Sequence, residues 1–207
     1  MNRKKLRFLT GIYTKDVMNK LRYGLKAPLT FECIWVNPME IEHIIYREEI
    51  KRVTGLHREK ASGVVIDWDN IQNYSLLSDE YRIQYCTDHW QKGLSWEELG
   101  VYEFMKITEK YGDWPREKVV KRFENYDRVF ETVKNDMKLK TRKELDPSNF
   151  REKDGILVHI GPNGKPFFGG NGFHRLAMEM VLGINPIPAC IGVIDERSLH
   201  LLEKFRK

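Results

Sequence analysis

Ile156-Leu-Val-His-Ile-Gly-Pro-Asn-Gly-Lys-Pro-Phe-Phe-Gly-Gly-Asn-Gly-Phe-His-Arg-Leu-Ala177 is the stretch whose reading decides the fold. Residues 156–160 are apolar and rich in β-branched side chains, which predicts a strand. Gly161-Pro-Asn-Gly164 is turn chemistry with a strong hairpin signal in Asn-Gly, and residues 165–168 supply the return strand. Gly169-Gly-Asn-Gly172 is then a glycine-rich loop, and residues 174–182 predict a helix closed by Gly183. A passage of this kind turns the free amides of the first helical turn outward, and with the positive end of the helix dipole they favour an anion. Glycines let backbone approach a phosphate and supply positive φ where the turn needs it. The candidate phosphate-binding residues are therefore Gly169, Gly170, Asn171, Gly172, His174 and Arg175. Arg175 offers a planar fork to phosphate oxygens. A cation so close to the helix start is unfavourable unless an anion lies between it and the dipole. The same residues also fit a tight strand-to-helix connection with Arg175 paired to a surface carboxylate.

Outward from this stretch, Pro186-Ile-Pro188 leads into a strand at 189–194, and a last helix starts at Asp195 or Ser198. Upstream, residues 31–36 read as a strand, 39–46 as a short helix and 55–63 as a mobile loop. A strand at 64–66 runs into Asp67-Trp-Asp69. Strand positions two apart share a face, so Asp67 and Asp69 fit one cation or one hydroxyl; a solvated strand end is the alternative. The middle of the chain is helical. One helix spans about 78–92, and a Ser95-x-x-Glu98 capping box opens a second that runs to about 111. Pro115 opens a third, with Val119, Phe123, Tyr126, Phe130, Val133 and Met137 at spacings of four and three forming one buried stripe. Residues 1–13 read as a basic arm and 14–23 as a short helix. The chain divides into an arm and short helix at 1–30 and a single domain at 31–207 with a helical insertion at about 78–140.

Hydrophobic residues at 41% and aromatics at 12% supply a core and exclude a disordered chain. The formal net charge of +5 favours a phosphate-bearing partner without choosing among nucleotide, nucleic acid and anionic surface. Cys33, Cys86 and Cys190 are scattered and odd in number, which reads as reduced thiols in a cytoplasmic protein. No apolar run approaches the ~20 residues of a membrane span, and the basic start lacks the apolar core of a secretory signal. The expectation is a cytoplasmic protein with no membrane partner.

Asp154-Gly155, Ile160-Gly161, Asn171-Gly-Phe-His-Arg-Leu-Ala177, Leu182-Gly183 and Ile187-Pro188, taken as a set, resemble the ParB/sulfiredoxin superfamily. More loosely, Asp67-Trp68-Asp69 and Trp96-Glu97-Glu98 with Tyr102 resemble a branch of ParB-like proteins that carries a middle helical insertion. The resemblance implies an α+β fold, a small mixed sheet with helices, in which the loop and helix at 171–177 hold nucleotide phosphates. ATP or ADP is the implied nucleotide, CTP is possible within the superfamily, and Mg²⁺ is the implied metal. Three departures bear on activity. Sulfiredoxins have cysteine before their His-Arg, where Phe173 stands, so sulfinic-acid reduction is not expected. Free-serine kinases have an acidic residue where Asn171 stands, so catalytic and metal-binding carboxylates would come from Asp67 and Asp69. Partition proteins have two adjacent arginines in place of His174-Arg175.

The leading expectation is a nucleotide-dependent phosphotransferase acting on a small hydroxyl-bearing acceptor, with Arg175 and His174 neutralising phosphate charge. A non-catalytic nucleotide- or DNA-binding module is the first alternative, supported by the basic balance and the basic arm. Nucleic-acid binding by the long helix is weakened by Glu117, Glu124, Glu131 and Asp136, which interrupt its basic residues. A metal-dependent nuclease using Asp67 and Asp69 is the remaining alternative.

Overall fold

The computed structural model describes residues 3–108 and 111–207 and has the α+β architecture that the sequence pattern predicts. Among these residues one mixed sheet contains β1 (Cys33–Val36), β2 (His43–Ile44), β3 (Val65–Ile66), β4 (Ser75–Leu76), β5 (Leu157–Ile160), β6 (Pro166–Phe168) and β7 (Ile187–Asp195). Its helices are α1 (Arg3–Tyr23), α2 (Arg47–Thr54), α3 (Tyr81–Lys92), α4 (Val101–Ile107), α5 (Arg116–Asp136), α6 (Arg142–Leu145) and α7 (Phe173–Leu182). A run of 3-10 turns, Glu196–Phe205, follows β7.

Strand β7 organises the sheet because every one of its residues is buried, which is what an unbroken apolar run in a covered strand produces. On one edge it takes β1 antiparallel, with Cys33 opposite Cys190, and then β3 parallel, with Val65 opposite Ile194. On the other edge lies β5, parallel, which turns through Asn163-Gly164 into antiparallel β6. The register between β5 and β7 shifts between Val158 and Ile160, and His159 occupies that irregularity. Its Nδ1 accepts the Val193 N–H at 2.9 Å. Two glycines make room for the ring: a Cβ at Gly192 would stand 2.0 Å from Nδ1, and one at Gly169 would stand 2.9 Å from Nε2. Burial, with the nearby Arg58 charge, pushes His159 down to about 3, so the ring is neutral. His159 is a packing residue, and Gly169 leaves room for both its ring and the Leu157 side chain, whose Cδ2 a Cβ would approach to 2.6 Å.

Helices of the insertion share one apolar cluster with the sheet: Ile34, Val36 and Val158 belong to it together with Tyr85, Trp96, Phe123 and Val133. Helix α5 is fastened at Asp127, whose carboxylate accepts from Trp90 Nε1 (3.1 Å) and Trp96 Nε1 (2.9 Å), with His89 Nε2 at 3.0 Å. Val119, Phe123, Phe130 and Val133 are buried as the stripe predicts. Met137 is not: α5 ends at Asp136, and Met137 turns into the left-handed region (φ 46) with its side chain 57% exposed.

Several local expectations are corrected by tertiary contacts. Within the described residues, the arm and short helix are one helix, α1, from Arg3 onward; Met1 and Asn2 lie outside them. It is docked through Asp16, which accepts from Thr30 N and Thr30 Oγ1 (both 2.8 Å) and from Arg151 (2.7 Å). The helix expected at 39–46 is instead a single 3-10 turn after Asn37 followed by strand β2, and the helix comes later, as α2. Residues 55–63 are not a mobile loop: Ala61, Ser62 and Gly63 are buried, and Gly63 N–H donates to Gly192 O at 2.7 Å. The Ser95–Glu98 box forms, yet Gly100 (φ 66) interrupts the chain before α4 starts. Helix α4 then ends at Ile107 rather than near 111, and the 109–110 part of that expected helix lies outside the described residues.

Candidate functional site

A cavity of about 1020 Å³ opens at the N-terminus of α7. One side is the glycine-rich loop and first turn of α7, contributing Gly170, Asn171, Gly172, Phe173, His174 and Arg175. Tyr46, Arg47, Glu48, Arg58 and Asp154 form the rim on the sheet side. The insertion closes the rest with Arg82 and Tyr85 from α3, Phe104 and Met105 from α4, and Arg122 and Tyr126 from α5. Gly172 caps α7 in the left-handed region (φ 91), and no side chain caps the first-turn amides. Those amides belong to residues of the cavity wall, so the helix N-terminus anticipated in the sequence lies at a partly open cavity, where an anion would be favoured.

The loop glycines have different reasons. Gly170 needs its positive φ (72), and a Cβ there would meet nothing closer than 4.0 Å. Gly172 combines φ 91 with Ile156 Cα only 3.0 Å from a would-be Cβ. Asn171 does not face the cavity as a free ligand. Its Nδ2 donates to Gly155 O at 2.7 Å, its carbonyl accepts from Leu157 N–H at 3.0 Å, and Arg58 Nη2 lies 3.5 Å from its Oδ1. An aspartate there cannot donate to Gly155 O, and its charge would face a carbonyl. Asn171→Asp is therefore expected to cost about 1–2 kcal/mol in denaturant unfolding. Stability at or above the parent's would mean that pairing with Arg58 outweighs the lost donor.

His174 is stacked on Tyr126 (centroids 3.8 Å apart), and its Nε2 lies 3.0 Å from the Tyr85 hydroxyl. Burial, then the Arg122 and Arg82 charges, pushes it down to about 3. His174 is thus neutral near pH 7 in the ligand-free fold. Arg175 is not paired to a carboxylate: its Nη2 donates to Asp154 O at 2.6 Å, and among the described residues no carboxylate lies within 4 Å. Burial lowers its pKa from the usual arginine value, but a guanidinium remains charged at any physiological pH.

Four further arginines converge on the cavity. Arg58 Nη1 donates to Gly170 O at 2.8 Å and so braces the loop. Arg82 pairs with Glu80 (3.0 Å) and lies 4.1 Å over the Phe173 ring. Arg122 lies among the Tyr111, Tyr126 and Trp114 rings at 5.0, 5.2 and 5.8 Å, and its buried Nε has no acceptor. Arg47 pairs with Glu48 at 2.6 Å. None of the four was identified from the sequence. A usable signal exists in Arg82-x-x-Tyr85 and Arg122-x-x-x-Tyr126, each pairing arginine with tyrosine one turn apart on a helix face.

Asp67 and Asp69 are not part of this cavity. The strand stops at Ile66, and Asp67 caps a 3-10 turn, its Oδ1 accepting the Asp69 N–H at 3.1 Å. Asp69 is 73% exposed and pairs with Arg197 at 2.9 Å. The two carboxylates therefore do not share one strand face toward one cation. Between them Trp68 is buried against Phe167, with ring centroids 4.9 Å apart, so the tripeptide is a packed turn. Among the described residues no group of three or more His, Cys, Asp or Glu side chains is placed to hold a metal ion. The implied Mg²⁺ does not fit Asp67 and Asp69. In comparisons with protein-family models, curated proteins and solved structures, the chain matches none.

Proposed function

We propose that this chain is an anion-binding α+β protein whose ligand is a nucleotide di- or triphosphate. Its particular activity, in this reading, is phosphoryl transfer from that nucleotide to a small hydroxyl-bearing acceptor. The observation that carries the proposal is the uncapped N-terminus of α7 opening into a partly open cavity beside Arg58, Arg122 and Arg175, none with a carboxylate within 4 Å among the described residues. Anion, amides and guanidiniums satisfy one another there. Tyr46, Phe104 and Tyr126 add aromatic surface suited to a base, and the volume exceeds what a single nucleotide of ordinary ligand size needs, leaving space for an acceptor. The resemblance to the ParB/sulfiredoxin superfamily points the same way. Phosphoryl transfer demands mainly positioning and charge neutralisation. The acceptor proton would go to Asp154 or Glu48, the carboxylates of the wall, rather than to Asp67 or Asp69.

The test is thermal stabilisation by ATP, ADP, CTP and GTP. A nucleotide at ~100 times its dissociation constant should add roughly 2.7 kcal/mol, about 5–11 °C for a chain of this size. Arg175→Ala is expected to abolish the shift, and Asp67→Ala to leave it intact. No shift with any nucleotide sinks the reading. Binding without turnover of any acceptor would keep the site and discard the transferase.

A further inference from the structure

We infer that the cavity takes its polyphosphate as the free anion, with arginines supplying the positive charge that a divalent cation supplies in other nucleotide sites. This rests on the nucleotide reading above. Five arginines line the cavity; Arg47 is answered by Glu48 and Arg82 by Glu80, which leaves Arg58, Arg122 and Arg175 as the guanidiniums with no carboxylate within 4 Å among the described residues. His174 adds none, because it is held neutral. A nucleoside di- or triphosphate brings roughly three to four negative charges near neutral pH. Three guanidiniums without carboxylate partners answer most of that charge without a metal.

The carboxylates are poorly suited to a metal. Glu48 pairs with Arg47 at 2.6 Å, and the Asp154 carboxylate lies 3.9 Å from Lys153. Hard cations such as Mg²⁺ need carboxylate and other oxygen ligands, and here the phosphates would have to furnish nearly all of them. A divalent ion on the phosphates would also stand among the guanidiniums and consume the negative charge that Arg122 and Arg175 lack. Arg122 is the clearest case, since its buried Nε has no acceptor. Its Nη2 reaches only the Tyr111 hydroxyl, at 3.5 Å, and a buried donor without an acceptor is costly, a cost that a metal-free phosphate removes.

The experiment is isothermal titration of the intact chain with ATP, ADP and inorganic tripolyphosphate, each in excess EDTA and in excess Mg²⁺. The expected result is affinity in EDTA equal to or tighter than in Mg²⁺. Arg122→Gln, checked for an unchanged melting temperature, is expected to lose about tenfold (1.4 kcal/mol) in EDTA and distinctly less in Mg²⁺, where the metal replaces the missing charge. Affinity about tenfold weaker in EDTA than in Mg²⁺ would overturn the inference, and so would equal losses for the variant in both conditions. Metal-free binding of tripolyphosphate without binding of either nucleotide would uphold it while removing the nucleotide reading. No binding of any of the three would remove both.

Discussion

Gly192→Ala is expected to cost about 3 kcal/mol or more, lowering the melting temperature by roughly 6–12 °C. The added Cβ would stand 2.0 Å from His159 Nδ1 and 2.5 Å from its Cε1, distances at which something must move. The imidazole cannot retreat cheaply. On its far side a Cβ at Gly169 would already be 2.9 Å from Nε2, so the space there is no larger than glycine leaves it. Its Nδ1 also holds the Val193 N–H at 2.9 Å in the irregular β5–β7 pairing. Displacing the ring leaves that buried amide unpaired, which adds its desolvation to the steric cost. A second consequence follows from geometry: the ring is pressed toward Gly169, at the base of the glycine-rich loop proposed to hold phosphate. Gly192→Ala should therefore weaken nucleotide binding as well as stability, while Gly192→Ala/His159→Ala recovers part of the stability by emptying the contested volume. A melting temperature within a degree of the parent's would show that the strand relaxes around the methyl group, and that Gly192 is not required by His159.

Glu179→Gln is expected to abolish a pH dependence of stability that lies between about pH 4.5 and pH 7. Glu179 is fully buried on α7, and neither carboxylate oxygen has a hydrogen-bond partner among the described residues. Burial pushes its carboxyl up to about 7, against a smaller opposing pull from the Arg175 charge. A raised acid binds a proton in the folded state that the unfolded chain has already released. Its stabilising share is thus complete below about pH 4.5, declines as pH rises, and is gone above about pH 7. The span corresponds to something on the order of 2–3 kcal/mol. Denaturant unfolding of parent and variant at pH 5 and pH 8 isolates it, since other titrating groups cancel in the difference. The parent should lose stability relative to Glu179→Gln on going from pH 5 to pH 8. A difference that stays flat across that range would mean Glu179 is already ionised in the fold.

Local chemistry in the sequence was sufficient for the segment that matters most. The apolar run of β5, the Asn163-Gly164 turn, β6, the glycine-rich loop and α7 with its Gly183 cap all form where their residues predict. Turn glycines, caps and apolar periodicity act over a few residues, so they are legible without the rest of the molecule. The same holds for Val119, Phe123, Phe130 and Val133 of the α5 stripe and for the Ser95–Glu98 box. Arg175 could be recognised because it lies in the first turn of the helix that makes the anion site.

Tertiary structure alone decided the rest. Arg58, Arg82 and Arg122 come from three segments of the chain, and only the packing of α3 and α5 against α7 and the contact of Arg58 with Gly170 O bring them to one cavity. His174 looks like a cation in sequence and is neutral in the fold, because burial and neighbouring guanidiniums set its charge. Asp67 and Asp69 look like a paired site, yet Trp68 must bury its ring against Phe167, and the turn that achieves this sends the two carboxylates to a cap and to Arg197. The N-terminal segment reads as a basic arm because its anchors, Asp16 to Thr30 and Arg151, join residues distant in sequence. Sequence by itself determined where backbone amides could be left free for an anion; the tertiary structure decided which charges surround them, because electrostatic environment is a property of neighbours in space rather than along the chain.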